Sequence, residues 1–269
     1  FIDGIILPAY LGLGALGIYM RPLVLGQMIQ VPYRAISLIS IPVIREAMVA
    51  NDLEKVNELN KSIGLNLFLI GTFLFAGLCA CANPLFAMLP EQYAQGRYVL
   101  YIVGFGRLID MAFGLNSEIL NYSNHYKTML YLTLLMMAIT IGLDVLLIPY
   151  FGMNGAAMAV SASLIIFNVL KSVWIYKQYR FHCFSLHYIT LLVIMLTVIG
   201  LMQFIPMISF IEHHRFFNAG LNLVFKGGLS TVLFLIPTYL LNVSPDLNHF
   251  MQLVWSGQIF KGGHKMESL

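Results

Sequence analysis

TMLYLTLLMMAITIGLDVLLIPYFGMNGAAMAVSASLIIFNVLKSVWIY, residues 128–176, holds two charged side chains, Asp144 and Lys171. It divides into two apolar runs, 128–149 and 154–176, which meet at a Pro149 to Asn154 break. A bilayer core of about 30 Å is crossed by roughly 20 apolar residues in a helix, so each run is long enough to span. Pro and Gly at the junction mark the turn between them. The stretch predicts two consecutive membrane-spanning helices.

The same ruler carried outward gives a partial span at 1–13 and further spans near 16–42, 63–83, 98–121, 187–207 and 219–241. Residues 242–269 form a polar tail. The predicted fold class is an all-α membrane protein, a polytopic bundle of about eight spans with the first truncated, in which residues 1–241 make one transmembrane lobe. Composition agrees: 59% of the 269 residues are hydrophobic and 10% charged, with a mean hydropathy of +0.81. A soluble domain is closer to 45–50% apolar and about 25% charged. A soluble enzyme, a disordered chain and a nucleic-acid binder are thereby excluded. Cys79, Cys81 and Cys183 sit in or beside apolar stretches and read as small membrane-core residues. The chain starts at Phe1 within an apolar run that no basic leader precedes, so it reads as a helix interior and not a signal peptide, and a fragment is expected.

Basic residues set the expected orientation. Arg45, Lys55, Lys61, Lys127, Lys171, Lys177, Arg180, Lys261 and Lys265 fall on one alternating set of connections, and only Arg97 and Arg215 on the other. The positive-inside rule puts the first set, and the C-terminal tail, in the cytoplasm. The segment Arg45 to Lys61 has Leu53, Val56 and Leu59 at helical spacing among charges. It predicts a short amphipathic helix on the cytoplasmic surface, capped by Asn51.

Arg21, Arg34, Arg107, Lys226, Asp3, Asp110, Glu118 and Asp144 instead fall within predicted spans. A charge at the bilayer centre costs at least about 2.5–3.5 kcal/mol, so several of them imply a polar, water-accessible interior. Gln27, Gln30, Arg34 and Ser37 fall within about 80° of one another on a helix, and Arg107, Asp110, Gly114, Ser117, Glu118 and Asn121 within about 100°. Pro22, Pro32 and Pro42 predict kinks in the first of these helices, which would swing Arg21 to the same side. Two readings stand for the Arg107/Asp110 pair, mutual neutralisation or part of a polar path. Two also stand for Asp144, snorkelling to the outer interface or a cation or proton site with Thr140 one turn earlier. Gly155, Ala159 and Ser163 form a small-residue ridge suited to close helix packing. Lys226 reads as snorkelling, and the last two spans as peripheral. His125, His182, His187, His213, His214, His249 and His264 all lie outside spans, and no phosphate loop, paired-His motif or nucleophile elbow occurs. An enzyme is not expected.

LDVLLIPYFGMNGAAMAVSASLI (143–165), GIYMRPLVLGQMIQVPYRAISLISIPVIREAMVANDLEKVNELNKS (17–62) and YAQGRYVLYIVGFGRLIDMAFGLNSEIL (93–120) together resemble polysaccharide-exporting flippases. These belong to the multidrug/oligosaccharidyl-lipid/polysaccharide exporter superfamily. The resemblance implies the C-terminal lobe, helices seven to fourteen, of a two-lobed fourteen-helix transporter. Its substrate would be an undecaprenyl-pyrophosphate-linked oligosaccharide, moved across the bacterial inner membrane by alternating access. Arg34, Arg107 and Arg21 would contact the pyrophosphate, with Gln27, Gln30 and Asn121 lining the path. Asp3 and Asp144 match carboxylates of cation-coupled members, so with Thr140 and Ser161 they would hold sodium or a proton; no other cofactor is implied. The implied partners are the lipid-linked substrate, membrane lipids, the N-terminal lobe and polysaccharide polymerase machinery, without nucleic acid. A multidrug or small-cation antiporter of the same superfamily is the alternative, recognisable by an acidic, aromatic-lined pocket. A membrane glycosyltransferase, ligase or acyltransferase is a third.

Overall fold

The computed structural model describes residues 2–123, 125–181, 184–208 and 215–248. His182, Cys183, His213, His214, His249, Lys261, His264, Lys265 and the tail beyond 248 lie outside the described residues. Backbone amides in lipid have no water to bond, so an apolar run must satisfy them internally as a helix. Accordingly 89% of the described chain is helical, with no strand among the described residues. The helices are α1 (Asp3–Gln27), α2 (Val31–Val49), α3 (Leu53–Ala87), α4 (Arg97–Ala112), α5 (Asn116–Tyr122), α6 (Tyr126–Phe151), α7 (Met153–Tyr179), α8 (Leu186–Phe204) and α9 (Arg215–Leu240). Taking α1 and α2 as one run, six helices are long and apolar enough to cross a membrane, and the bent pair α4–α5 would make a seventh. The chain is thus a multi-pass, all-helical membrane protein.

α1 is folded back on itself. Gly12 adopts φ 79°, ψ 169°, a region open essentially to glycine. Tyr19 Oη donates a 2.7 Å hydrogen bond to Asp3 Oδ2. Sixteen residues of straight helix would hold those positions about 24 Å apart, so the bond demands the reversal. Farther on, a 3-10 turn at Met28–Gln30 joins α1 to α2.

Two expectations are corrected here. The segment Arg45 to Lys61 is not a separate surface helix. It comprises the end of α2, a turn at residues 50–52 and the first turns of α3, whose 35 residues reach about 52 Å and overrun the apolar layer. Its cap is Asp52, whose Oδ1 accepts from Lys55 N at 3.1 Å, while Asn51 takes a left-handed φ of 55° in the turn before it. Nor is 98–121 one continuous span: α4 and α5 meet at a 54° bend centred on Gly114.

α3 is the central strut. It packs against α2, α4, α8 and α9, while α1, α4, α6 and α7 associate on its other side. α8 and α9 pack on α3 and on each other, where Phe68 stacks on Tyr188 at 4.7 Å. Small residues let α7 approach its neighbours. A Cβ on Gly155 would lie 2.3 Å from the Leu147 carbonyl oxygen of α6, and one on Gly106 of α4 would lie 2.7 Å from Ser161 Oγ. Ala159 and Ser163, on the ridge with Gly155, are fully buried.

Candidate functional site

The bend between α4 and α5 builds the polar centre. Gly114 has φ 58°, and a side chain there would strike Asn60 Oδ1 at 2.9 Å and Gly64 Cα at 3.1 Å. Breaking a helix releases backbone amides that must find partners. Asn60 Oδ1 accepts from Leu115 N at 3.0 Å, and Asn60 Nδ2 donates to Asn116 Oδ1 at 3.2 Å. Asn60 therefore holds the bend, which points the end of α4 and the start of α5 at α2 and α7.

Asp110 and Glu118, on either side of the bend, are both buried. Asp110 Oδ2 accepts from Gln30 Nε2 at 2.5 Å, and its Oδ1 accepts from Asn168 Nδ2 at 2.7 Å. Arg107 Nη1 donates to Gln30 Oε1 at 3.0 Å. Arg107 and Asp110 are therefore linked through the Gln30 amide. Glu118 accepts from Tyr33 Oη at 3.0 Å on both oxygens and from Ser37 Oγ. Lys171 Nζ donates to Ser117 Oγ at 2.7 Å, faces the Phe167 ring at 4.3 Å and lies within electrostatic reach of Asp110 and Glu118.

Lys171 is a correction. Counted with the cytoplasmic connections, it is instead 2% exposed within α7, eight residues or about 12 Å before the helix end. Two buried acids nearby stabilise an ammonium that lipid would expel. Lys226 also makes its contacts inside the protein. It is buried, and its Nζ donates to the Ile205 carbonyl at the C-terminal end of α8, where a cation offsets the exposed carbonyl dipoles.

A second group joins α1 and α6. Asp144 is 0% exposed, so it does not snorkel to an interface. Both its carboxylate oxygens are buried without a hydrogen-bond partner among the described residues. Asp3 lies within electrostatic reach, with Tyr19 bonded to it. Thr140 is buried one turn before Asp144, its hydroxyl donating to the Met136 carbonyl. Ser161 is committed elsewhere: its hydroxyl donates to the Ile102 carbonyl of α4 at 3.0 Å.

The remaining sequence candidates scatter. Arg34 is exposed on α2, within electrostatic reach of Arg107. Gln27 is half-buried, with Nε2 lacking a partner among the described residues. Asn121 is exposed near the end of α5. Arg21 lies 4.2 Å from the Tyr93 ring, beside the apolar side chains of Leu85 and Met88 and apart from the polar centre. Tyr33, Asn168 and Lys171 belong to the polar centre and Tyr19 to the second group, and none was a sequence candidate. Asn168 and Lys171 are three apart on α7, a spacing that puts both on one face. Four carboxylates are buried, Asp110 and Glu118 near Lys171, and Asp3 and Asp144 in the second group, while Arg107 is half-buried. Burying one cation among lipids requires counter-charges, and these helices supply carboxylates.

Comparison of the chain with protein-family models, with curated proteins and with solved structures returned no match.

Proposed function

We propose that this chain is part of a transporter that moves an anionic, lipid-linked oligosaccharide across the bacterial inner membrane by alternating access, with a cation or proton as the coupling ion. The observation that carries the proposal is Arg34. It lies eleven residues, about 16 Å, from Arg45, so it sits near the middle of an apolar layer about 30 Å thick. It is exposed there and makes no ion pair among the described residues. A guanidinium facing lipid at that depth is strongly disfavoured, and its side chain cannot reach either interface. The face it occupies must therefore border a polar passage.

Arginine suits a pyrophosphate because its fork donates two parallel hydrogen bonds and stays charged. Arg34 makes the first contact and Arg107, tethered through Gln30, supplies the second positive field. Val31 and Leu38, one turn to either side of Arg34, are exposed and apolar. They lower the local dielectric and strengthen a charge-assisted bond. Asp144, with Asp3 beside it, would take the coupling ion, because a buried carboxylate without a hydrogen-bond partner among the described residues is stabilised by a bound cation or proton. No catalytic role is assigned to any residue.

The number of buried acids, with Tyr19 and Tyr33 beside them, favours a second reading, a multidrug or small-cation antiporter. Transport by the full-length protein in liposomes separates the two. A polyprenyl-pyrophosphate oligosaccharide is expected to cross the bilayer, to stop with Arg34→Ala, and to lose its gradient dependence with Asp144→Asn. Transport of an organic cation instead, unaffected by Arg34→Ala, would replace the first reading with the second.

A further inference from the structure

Away from the polar centre, a cavity of about 300 Å³ opens between α3, α4, α8 and α9. Arg97 and Lys226 both line it, with Asn83, Tyr98, Tyr101 and Gln203. Neither an Asp nor a Glu is among the described residues that line it. Lys226 is 2% exposed, and the Ile205 carbonyl takes one of its three ammonium hydrogens. Arg97 holds its guanidinium 5.8 Å from the Phe86 ring, and its Nε is buried with no hydrogen-bond partner among the described residues. The ion pair of Arg215 with Glu91, at 3.2 Å, engages neither cation. Two cations at one partly enclosed cavity, with donors to spare and no carboxylate among the described residues that line it, are stabilised by an anion.

Position says which anion. Arg97 begins α4 and Ile205 caps the end of α8, so the cavity lies where spans leave the apolar layer. Phospholipid phosphates occupy that level in either leaflet, and Arg and Lys donors hold a phosphate through charge-assisted hydrogen bonds. Ile199 and Met202 add an apolar wall against which the start of an acyl chain could lie. We propose that this cavity binds the phosphate of an anionic phospholipid through Arg97 and Lys226, with Tyr98, Tyr101 and Gln203 completing the hydrogen bonds. The site is independent of the transport reading, since it requires only that the protein be embedded in a membrane.

Native mass spectrometry of the purified full-length protein tests it, with phosphatidylglycerol, phosphatidylcholine and inorganic phosphate as separate probes. Phosphatidylglycerol is expected to bind in preference to phosphatidylcholine. Arg97→Gln and Lys226→Met should each weaken that binding about tenfold or more, the loss of one charge-assisted hydrogen bond, and Lys226→Arg should retain it. Lys226 also secures the end of α8, so if Lys226→Met does not fold, Arg97→Gln decides alone. Equal binding of the two lipids, or undiminished phosphatidylglycerol binding by folded Arg97→Gln, overturns the proposal. Binding of inorganic phosphate without phosphatidylglycerol overturns the lipid assignment in favour of a free anion.

Discussion

Alanine at position 106 would place a methyl carbon 2.7 Å from Ser161 Oγ, 2.8 Å from Ser161 Cβ and 3.1 Å from Ser161 Cα. The hydroxyl could rotate away, but Cβ and Cα are fixed to the α7 backbone, so α4 and α7 must separate. Overpacking of this kind costs about 1–3 kcal/mol. The helix-propensity gain of Gly→Ala returns about 1 kcal/mol. With backbone as the obstacle the upper part of the first range applies, and Gly106→Ala should destabilise the folded state by about 2 kcal/mol, roughly 30-fold in the folded-to-unfolded ratio. The same separation pulls on the 2.7 Å Asn168–Asp110 bond, which joins these two helices. Reversible unfolding in a denaturing detergent measures the change. Gly200→Ala on α8, with nothing within 4 Å of the added carbon, serves as the control and should be at least as stable as the parent. Ser161→Gly removes the two nearest atoms and should restore most of the loss in the double variant, a coupling that distant sites do not show. Equal stability of Gly106→Ala and Gly200→Ala would refute the close α4–α7 contact.

Removing the Lys171 ammonium while leaving Asp110 and Glu118 buried strands negative charge. Lys171→Met should destabilise by about 3–5 kcal/mol, and adding Glu118→Gln should recover a large part of it, both read by the same unfolding assay. A loss unchanged in the double variant would show that Lys171 does not compensate Glu118. Gly12→Ala meets no atom within 4 Å, so its expected loss of about 1–3 kcal/mol is backbone strain alone. A stability equal to the parent would argue against the reversal at Gly12.

Helix identity was legible in the sequence because lipid imposes it: runs such as 128–149 and 154–176 have no other way to satisfy their backbone. Helix ends were less so. Nothing local separates the residues near Lys61 from the apolar run after them, so α3 continues through a charged segment that reads as a surface element. Gly114 shows the opposite failure. The helical spacing ran through it without a break, and only the contact with Asn60, 54 positions earlier, shows why the helix breaks there. In the candidate site, periodicity found Gln30, Arg107, Asp110 and Glu118 but grouped Arg34 with Ser37, although Ser37 is buried against Glu118 while Arg34, three residues before it on α2, is exposed. Lys171 was misplaced because a lysine within about 12 Å of a helix end looks like a terminal anchor. Its partners Ser117, Asp110 and Glu118 come from other helices and are invisible to a one-dimensional reading.

Water access at position 34 decides whether α2 borders a polar passage. In the full-length protein with Cys79, Cys81 and Cys183 replaced, Arg34→Cys would be reconstituted in liposomes and exposed to a charged, membrane-impermeant thiol reagent. Leu38→Cys on the same helix and Leu130→Cys on the outer face of α6 would be treated in parallel. A passage along α2 predicts that position 34 is modified far faster than position 130, and that the polyprenyl-pyrophosphate substrate slows the modification. Position 34 as unreactive as position 130 would place Arg34 against lipid and rule out a passage along α2.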